Sequence, residues 1–453
     1  MKEKITVTRE TSLATVFENE EASRVFEQVF PGMKEQMLKS PMPREFTLKQ
    51  MAGFGPAVFT EDKVAVCEEL WGKIDVYVET GYARDYPLTR EVAEIIKGED
   101  KTYFEPGTIM RDTEGKRIQA HGGAVLWDDG YYYWYGENKD RTDGKGKVWT
   151  WGIRAYRSRD LYHWEDMGLI IEPDLENPKS GLYPENHADR PHIIKCAASG
   201  KYVCWIKQCG DEACFMVLQS DNLLGPYDMV HERYRPYGIE VGDFDLVVDE
   251  ETKKAYLYMD GNHATVFGFC LTEDYLQVEK EVSRQYVDMF PPLCREGVTV
   301  FSRGKKKYMI TSGMSGYVPN KSDMAVSDDW EHPFESIGNP HIKDESNTSF
   351  NSQISQIFRV EGKKDLYIAL ADRWVPDFPV DARLSEMIVR FIGNHHDPIH
   401  YPITEQEQKE LMNSPMLKGA NTSAADYIWL PLTFEDDRPQ IRWYDQWRIA
   451  DFR

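Results

Sequence analysis

The spacing of apolar residues divides the chain into two parts. In residues 1 to about 80, apolar positions recur every three or four residues, as in "NEEASRVFEQVFPGMKEQMLKS" and "TEDKVAVCEELWGKIDVYVE", which is the period of amphipathic helices. From about residue 105, short apolar and aromatic runs alternate with turns rich in Gly, Asp, Asn and Lys, a pattern typical of successive antiparallel strands. The pattern therefore predicts a small helical module at 1–80, a linker at 81–104 and an all-β domain at 105–453.

One unit recurs within the β part: a turn, an aromatic-rich strand, a spacer and a second strand. Its copies include "DDGYYYWYGENK", "SGKYVCWIKQ", "TKKAYLYMDGN", "GKKKYMITSG" and "GKKDLYIALADRW". They lie roughly 50 to 70 residues apart, the spacing of four-stranded propeller blades. Five copies predict a five-bladed β-propeller, with an antiparallel sandwich as the alternative on pattern alone. Little else in this part reads as helix, apart from a short candidate at "TEQEQKELMNS".

Charge and composition restrict the partners. The 453 residues include 54 Lys and Arg against 76 Asp and Glu, which gives a formal net charge of -22. Such a charge repels nucleic acid and anionic membranes, so neither is an expected partner. The start of the chain lacks a signal-like apolar run, and we expect a cytoplasmic protein. The cysteines lack the paired spacing of a zinc site, and we expect neither a metal nor a cofactor.

Several features indicate a carbohydrate site. Aromatic residues make up 13% of the chain, more than core packing alone requires, and flat rings match the apolar faces of sugars. In a propeller, polar residues at the ends of the inner strands face one another across the axis. A single carboxylate at such a place is more often a cap or part of an ion pair, but one in each of four successive blades indicates a shared site. These carboxylates are Glu137, Asp189, Asp243 and Glu296.

A family resemblance covers the chain from about residue 115 to the C-terminus. The motifs "AHGGAVLWDDGYYYWYGENK", "DRPHII", "REGVTVF", "ITSGMSGYVPN", "NSQ", "ADRW" and "YIWLPL" occur in this order. Together they resemble glycoside hydrolase family 43, most closely its exo-β-1,3-galactanase-like branch. The resemblance implies a five-bladed β-propeller whose central pocket hydrolyses glycosidic bonds with inversion at the anomeric carbon. It leaves the helical module uncovered.

The resemblance also implies catalytic roles. Glu296 matches the family's general acid, and Asp243 matches the carboxylate that modulates this acid. The family's usual base, the Asp of an Ala-Asp-Pro motif, is absent, because this chain has His121 at that place. In the galactanase-like branch a glutamine faces the attacking water instead, and Gln353 matches it. A neutral amide is a poor base, so the proton is expected to leave by a relay, an amide tautomer or a neighbouring carboxylate.

Further residues are expected to contact the sugar. Glu137 follows the aromatic strand "YYYWY", which we expect to form the inner wall of the first blade. Asp189 and Arg190 match a Glu-Arg pair, with a carboxylate one methylene shorter in this chain. We expect the oxygen of Gln353 to accept a hydrogen bond from water while Glu137 or Asp189 holds its NH₂ group. His121 is a further candidate for sugar contact, and so, each with a structural role as the alternative, are Trp374, Trp429 and His263.

These residues favour an exo-acting, inverting hydrolase of galactosyl oligosaccharides of the β-1,3-galactan type. A family 43 hydrolase of another specificity, such as an arabinofuranosidase or xylosidase, is an alternative. A propeller that binds carbohydrate without cleaving it would explain the missing base, but it has little use for Glu296 beside Asp243. An inverting phosphorylase would need a cluster of basic residues for phosphate, and the sequence offers only Arg190 and Arg295. The exact sugar, the oligomeric state and the role of the helical module stay open.

Overall fold

Five sheets of mainly antiparallel strands form a β-propeller that follows a helical N-terminal region. The computed structural model describes residues 2–39, 46–79, 95–96, 100–144, 147–209, 213–378, 380–414 and 421–452. The all-β fold class, the five blades and the preceding helices are confirmed. The domain boundaries stay a prediction, because most of the predicted linker at 81–104 lies outside the described residues.

Each blade is built from consecutive strands, and the fifth gains one strand that pairs in parallel. Blade 1 consists of β3 (His121–Asp128), β4 (Tyr131–Glu137), β5 (Ile153–Ser158) and β6 (Glu165–Ile171). Blade 2 consists of β7 (Ala188–Lys195), β8 (Tyr202–Gln208), β9 (Cys214–Ser220) and β10 (Asp228–Tyr234). Blade 3 consists of β11 (Val241–Val248), β12 (Ala255–Gly261), β13 (Thr265–Leu271) and β14 (Val278–Gln285). Blade 4 consists of β15 (Arg295–Arg303), β16 (Lys306–Gly313), β17 (Asp323–Ser327) and β18 (Glu335–Gly338). Blade 5 consists of β19 (His341–Ile342), β20 (Gln353–Arg359), β21 (Tyr367–Arg373), β22 (Asp426–Glu435) and β23 (Arg438–Arg442).

The strands β3, β7, β11, β15 and β20 lie at the axis, where they contact one another around the propeller. Near its start, each shows a register shift of the β-bulge kind against its neighbour. A bulge bends the strand and re-aims side chains, so the starts of the inner strands present polar groups at one end of the axis. The expectation that the aromatic strand forms the inner wall is wrong. That strand is β4, which pairs with the outer side of β3 and places Glu137 opposite His121.

Large aromatic side chains pack where blade 5 meets blade 1. Trp429 is only 1% exposed, and its ring centroid lies 4.8 Å from that of Trp134. Trp164 and Trp447 belong to the same buried cluster. The interpretation of Trp429 as a sugar-stacking residue is therefore wrong, because the core of the propeller buries its ring.

The N-terminal region has its own buried core, which includes Leu13, Phe26 and Trp71. Side-chain caps begin several helices, and Thr47 forms a capping box with Gln50. A strand pair, β1 (Lys2–Ile5) with β2 (Val76–Glu79), joins the two ends of the region. Its helices are α1 (Leu13–Glu18), α2 (Glu20–Val29), α3 (Met33–Lys39), α4 (Leu48–Phe54) and α5 (Glu61–Trp71).

The helical region lies against the end of the propeller where the inner strands begin. Gln50 of α4 donates a hydrogen bond of 2.8 Å to Glu240, the residue immediately before β11. Lys147, in the connection between β4 and β5, forms an ion pair of 2.8 Å with Glu18 of α1. Both contacts are made with the rim that surrounds the polar end of the axis.

Two further helices lie between β21 and β22. The helix α7 (Glu405–Met412) is the one that the sequence predicts, and a capping box of Thr404 and Glu407 begins it. The longer helix α6 (Ala382–Asn394) is not predicted, although Asp381 caps it and Met387 packs in a small core between the two helices. No helix in the described part of the chain is long and apolar enough to cross a membrane.

Candidate active site

Polar residues from all five blades meet where the inner strands begin, and Arg190 connects most of them. Arg190 is 4% exposed and adopts a left-handed φ of 50° at the bulge of β7. Its backbone N–H donates to Glu137 Oε1 at 2.9 Å, and its guanidinium forms an ion pair of 3.0 Å with Asp243. Its Nη2 donates to Gln353 Oε1 at 2.7 Å. One arginine of blade 2 therefore fixes side chains of blades 1, 3 and 5.

Glu296 and Asp243 form an unequal carboxyl pair. Asp243 accepts a hydrogen bond of 2.9 Å from the backbone N–H of Gly297 and one of 2.9 Å from Lys207. Burial acts against its charge, but Arg190 and Lys207 outweigh burial and hold the pKa of Asp243 below its ordinary value. Burial raises the pKa of Glu296 to about 8, and the charge of Asp243 adds to this effect. At neutral pH the pair therefore holds one proton, on Glu296.

Gly297, directly after Glu296, has a backbone conformation that favours glycine. It has a φ of 60°, and a Cβ at this position would approach Ser312 Oγ to 2.7 Å. A side chain here would therefore be strained and would press on the Ser312 hydroxyl that accepts a hydrogen bond from Gln353.

Glu137 is a second carboxyl group with a raised pKa. It is 3% exposed, and its Oε2 pairs with Nζ of the fully buried Lys139 at 2.6 Å. Burial raises the pKa of Glu137 to about 7, with Lys139 acting against this rise and Asp189 adding to it. The backbone of Gly122 passes so closely that a Cβ there would lie 2.5 Å from Glu137 Oε1.

Asp189 holds an aromatic ring in place. Its Oδ1 accepts a hydrogen bond of 2.5 Å from the indole N–H of Trp149, and its Oδ2 accepts one of 3.1 Å from the Cys209 thiol. Trp149 stacks on His187 with ring centroids 4.2 Å apart, and Lys139 Nζ lies 4.0 Å from its ring centroid. The structure therefore brings Asp189 to the site and gives both of its oxygens protein donors.

Gln353 has different partners from those that the sequence led us to expect. Its Oε1 accepts hydrogen bonds from Arg190 and, at 3.3 Å, from the indole N–H of Trp374. Its NH₂ group donates to Ser312 Oγ at 3.0 Å. The expectation that Glu137 or Asp189 holds this NH₂ group is wrong, because a neighbouring strand supplies a hydroxyl acceptor. Trp374 lies beside Gln353, as a residue of the predicted site should.

His121 lies behind the site rather than in it. It is 0% exposed, with Nδ1 2.9 Å from Asp372 and Nε2 2.8 Å from Gln119. Asp372 pairs with Gln353 in the register of β20 and β21, and it also accepts a hydrogen bond from the backbone N–H of Gly122. The prediction that His121 contacts substrate is therefore wrong. Burial and these two partners give it the role of supporting the strands beneath Gln353.

His263 lies next to the acid pair. Its Nδ1 is 2.7 Å from Asp260, and its side chain is 21% exposed. Burial acts against a charged imidazole, but Asp260 outweighs this effect and raises the pKa of His263. The imidazole is one of the groups that act against the raised pKa of Glu296.

The sequence interpretation missed the cations that neutralise the carboxylates. Lys207 interrupts the apolar strand "YVCWIKQ", and Lys139 follows Glu137 by two residues. A lysine inside an apolar run is a usable signal, because a buried ammonium group needs a paired carboxylate. Trp149 and Ser312 carry no comparable signal. Among the described residues, no group of three or more His, Cys, Asp or Glu side chains is placed to hold a metal ion.

The chain is similar to a known family and to several solved structures. The family model described as glycosyl hydrolases family 43 matches residues 122–375 of the sequence. A solved GH43 β-1,3-galactosidase is 26% identical, with a TM-score of 0.62, and the match covers 78% of this chain and 64% of that one. The chain thus spans slightly less than two thirds of that protein's length. None of the curated proteins compared matches the chain.

Two exo-β-1,3-galactanases share the fold. The enzyme from Clostridium thermocellum is 24% identical, with a TM-score of 0.57 and coverage of 76% of this chain and 66% of its own. The enzyme from Phanerochaete chrysosporium with β-1,3-galactotriose is 21% identical, with a TM-score of 0.60 and coverage of 77% and 68%. The family model covers more than half of this chain and includes Glu137, Arg190, Asp243, Glu296 and Gln353. The chain therefore belongs to glycosyl hydrolases family 43.

Proposed function

We propose that the protein is an exo-acting, inverting glycoside hydrolase that removes galactosyl residues from β-1,3-linked galactose oligosaccharides. The observation that carries this proposal is the pair of Glu296, whose pKa is raised to about 8, and Asp243, whose pKa is held low. Two carboxyl groups with pKa values pushed apart supply an acid that stays protonated at neutral pH. The choice of galactose is supported by the β-1,3-galactosidase that is 26% identical to the chain.

In the proposed reaction, Glu296 protonates the glycosidic oxygen while water attacks the opposite face of the sugar. Gln353 holds this water. Both lone pairs of its oxygen are used by Arg190 and Trp374, so the amide offers the water an N–H rather than an acceptor. Another group therefore takes the proton. Glu137 has a pKa of about 7, which suits a general base, and Arg190 connects it to Gln353.

A propeller that binds carbohydrate without cleaving it is the second candidate, and the absence of an Asp where His121 stands favours it. A screen of the purified protein against β-1,3-galactobiose and aryl β-galactosides separates the two. Aryl arabinofuranosides and xylosides in the same screen test the other specificities of the family. Binding of galactobiose without hydrolysis at any pH would replace the hydrolase proposal with the binding one.

Inversion is directly measurable. If water attacks the face opposite Glu296, the galactose first released from a β-linked substrate has the α configuration. Proton NMR during the first minutes of the reaction, before mutarotation, reports this configuration. A first product in the β configuration would require a carboxylate nucleophile and would contradict the proposed role of Gln353.

The pH profile tests the carboxyl pair. Because Glu296 acts in its protonated form, kcat/KM should fall as the pH rises through about 8. Asp243→Asn removes a charge that raises the pKa of Glu296 and leaves Lys207 to lower it further, so this limb should move to lower pH by about one unit. Asp249→Asn, just beyond the other end of β11, is the control and should leave the limb in place. An unmoved limb in Asp243→Asn would show that Asp243 does not tune the acid.

A further inference from the structure

Two loops from blades that are not neighbours meet at the polar end of the axis. Trp149 lies in the connection between β4 and β5 of blade 1, and Tyr317 lies in the connection between β16 and β17 of blade 4. Blade 5 separates these blades around the propeller. Nevertheless, the ring centroids of Trp149 and Tyr317 are 5.8 Å apart. The two loops therefore bridge the mouth of the pocket.

The bridge is part of a longer row of rings, which we call the aromatic wall: His187, Trp149, Tyr317 and Trp374. Tyr317 meets Trp374 edge to face with centroids 5.6 Å apart, and Trp149 stacks on His187. Two indole N–H groups of the wall donate hydrogen bonds to site residues. That of Trp149 donates to Asp189, and that of Trp374 donates to Gln353. The wall thus borders the part of the pocket that contains Gln353.

The loop that carries Tyr317 is held in shape by Asn320. Its side-chain oxygen accepts a hydrogen bond of 2.6 Å from the backbone N–H of Gly313, and its NH₂ group donates to the Gly313 carbonyl and to Ser315 Oγ. These bonds close the loop on itself and present Tyr317 near its tip. The ring is therefore positioned before any ligand binds, as a determinant of specificity should be.

The spacing of the two rings excludes a sugar between them. A pyranose packed between two aromatic rings needs about 7 Å, because each contact takes about 3.5–4.0 Å. The 5.8 Å between Trp149 and Tyr317 is too short for this. We propose that these two residues block one side of the pocket, so that a galactose chain cannot pass across the site and only its terminal galactosyl residue can enter. This inference rests on the proposed function and assigns its exo mode to two side chains.

The test is a product analysis with β-1,3-galactotetraose that carries a fluorescent label at its reducing end. The parent should give labelled trisaccharide as its first labelled product. Tyr317→Ala should open the wall, and the share of labelled disaccharide among the first products should rise by about tenfold or more. Tyr317→Phe keeps the ring, so its first labelled product should still be the trisaccharide. If Tyr317→Ala does not fold, Tyr317→Leu removes the ring while keeping an apolar side chain.

An unchanged product pattern in a folded Tyr317→Ala or Tyr317→Leu would overturn the proposal. A second measurement needs no turnover. The affinity for galactobiose that carries a benzyl group on its terminal O3 is measured by titration of two proteins, Glu296→Gln and the double variant of Glu296→Gln with Tyr317→Ala. The wall should exclude this ligand, and Tyr317→Ala should bind it at least about tenfold more tightly. If the parent hydrolyses no galactose chain, the proposed function fails and this titration decides alone. Equal affinities would then overturn the role of the wall.

Discussion

Glu296→Gln should lower the turnover of β-1,3-galactobiose by about 100-fold or more, because general acid catalysis contributes about 10²–10⁴ to such reactions. The amide has nearly the shape of the acid but no proton to give to the leaving oxygen. Glu296 is the group whose proton the site is built to retain, since burial and Asp243 both raise its pKa. The measurement is kcat at the pH optimum of the parent.

The substrate series makes this prediction specific to proton donation. An aryl galactoside with a good leaving group needs little help from an acid, so Glu296→Gln should affect it far less than the disaccharide. Glu335→Gln, an exposed glutamate of β18 in the same blade, is the matched control and should keep the activity of the parent. Equal losses on both substrates would indicate that Glu296 positions the sugar rather than donating a proton.

The sequence was sufficient for the architecture because the repeated turn and strand pattern is local. Each copy contains its own turn residues and its own period-two strands, so five blades can be counted before any contact between them is known. It also located Asp243 and Glu296, since each stands at the start of a strand that is otherwise apolar. Their proximity follows from the topology, because the starts of all the inner strands lie at one end of the axis.

The remaining features depend on contacts between blades, which periodicity does not encode. Glu137 reaches the site from the second strand of its blade, and an aromatic run looks the same on either strand. His121 occupies the place of the family's base but is fully buried against Asp372. Trp149 and Tyr317 lie in loops of different blades, and only the closed propeller brings their rings together. Helix α6 is different, because its capping residue Asp381 and its amphipathic period are local signals that the sequence interpretation overlooked.

Gln353 is the residue at which an active enzyme and an inactive binding protein differ most. Its oxygen is held by Arg190 and Trp374, and Ser312 accepts one of its N–H donors. The remaining N–H is available to orient a water beneath the sugar ring. Positioning of this kind can contribute several kcal/mol to a reaction barrier, whereas it contributes little to the binding of a ground-state ligand.

Gln353→Ala should therefore lower kcat by about 100-fold while the affinity for galactobiose, measured in the Glu296→Gln background, stays within about tenfold. Gln356→Ala, on the same strand but bonded to the backbone of Val125, is the control and should keep the parent's turnover.

Gln353→Glu separates two roles of the amide. A carboxylate still accepts from Arg190 and Trp374 and can also take the proton of water, so it should recover activity lost in Gln353→Ala. Its charge should also raise the pKa of Glu296 and move the alkaline limb to higher pH. If Gln353→Ala is as active as the parent, another group holds the water, and Glu137 becomes the first residue to test because Arg190 already connects it to this place.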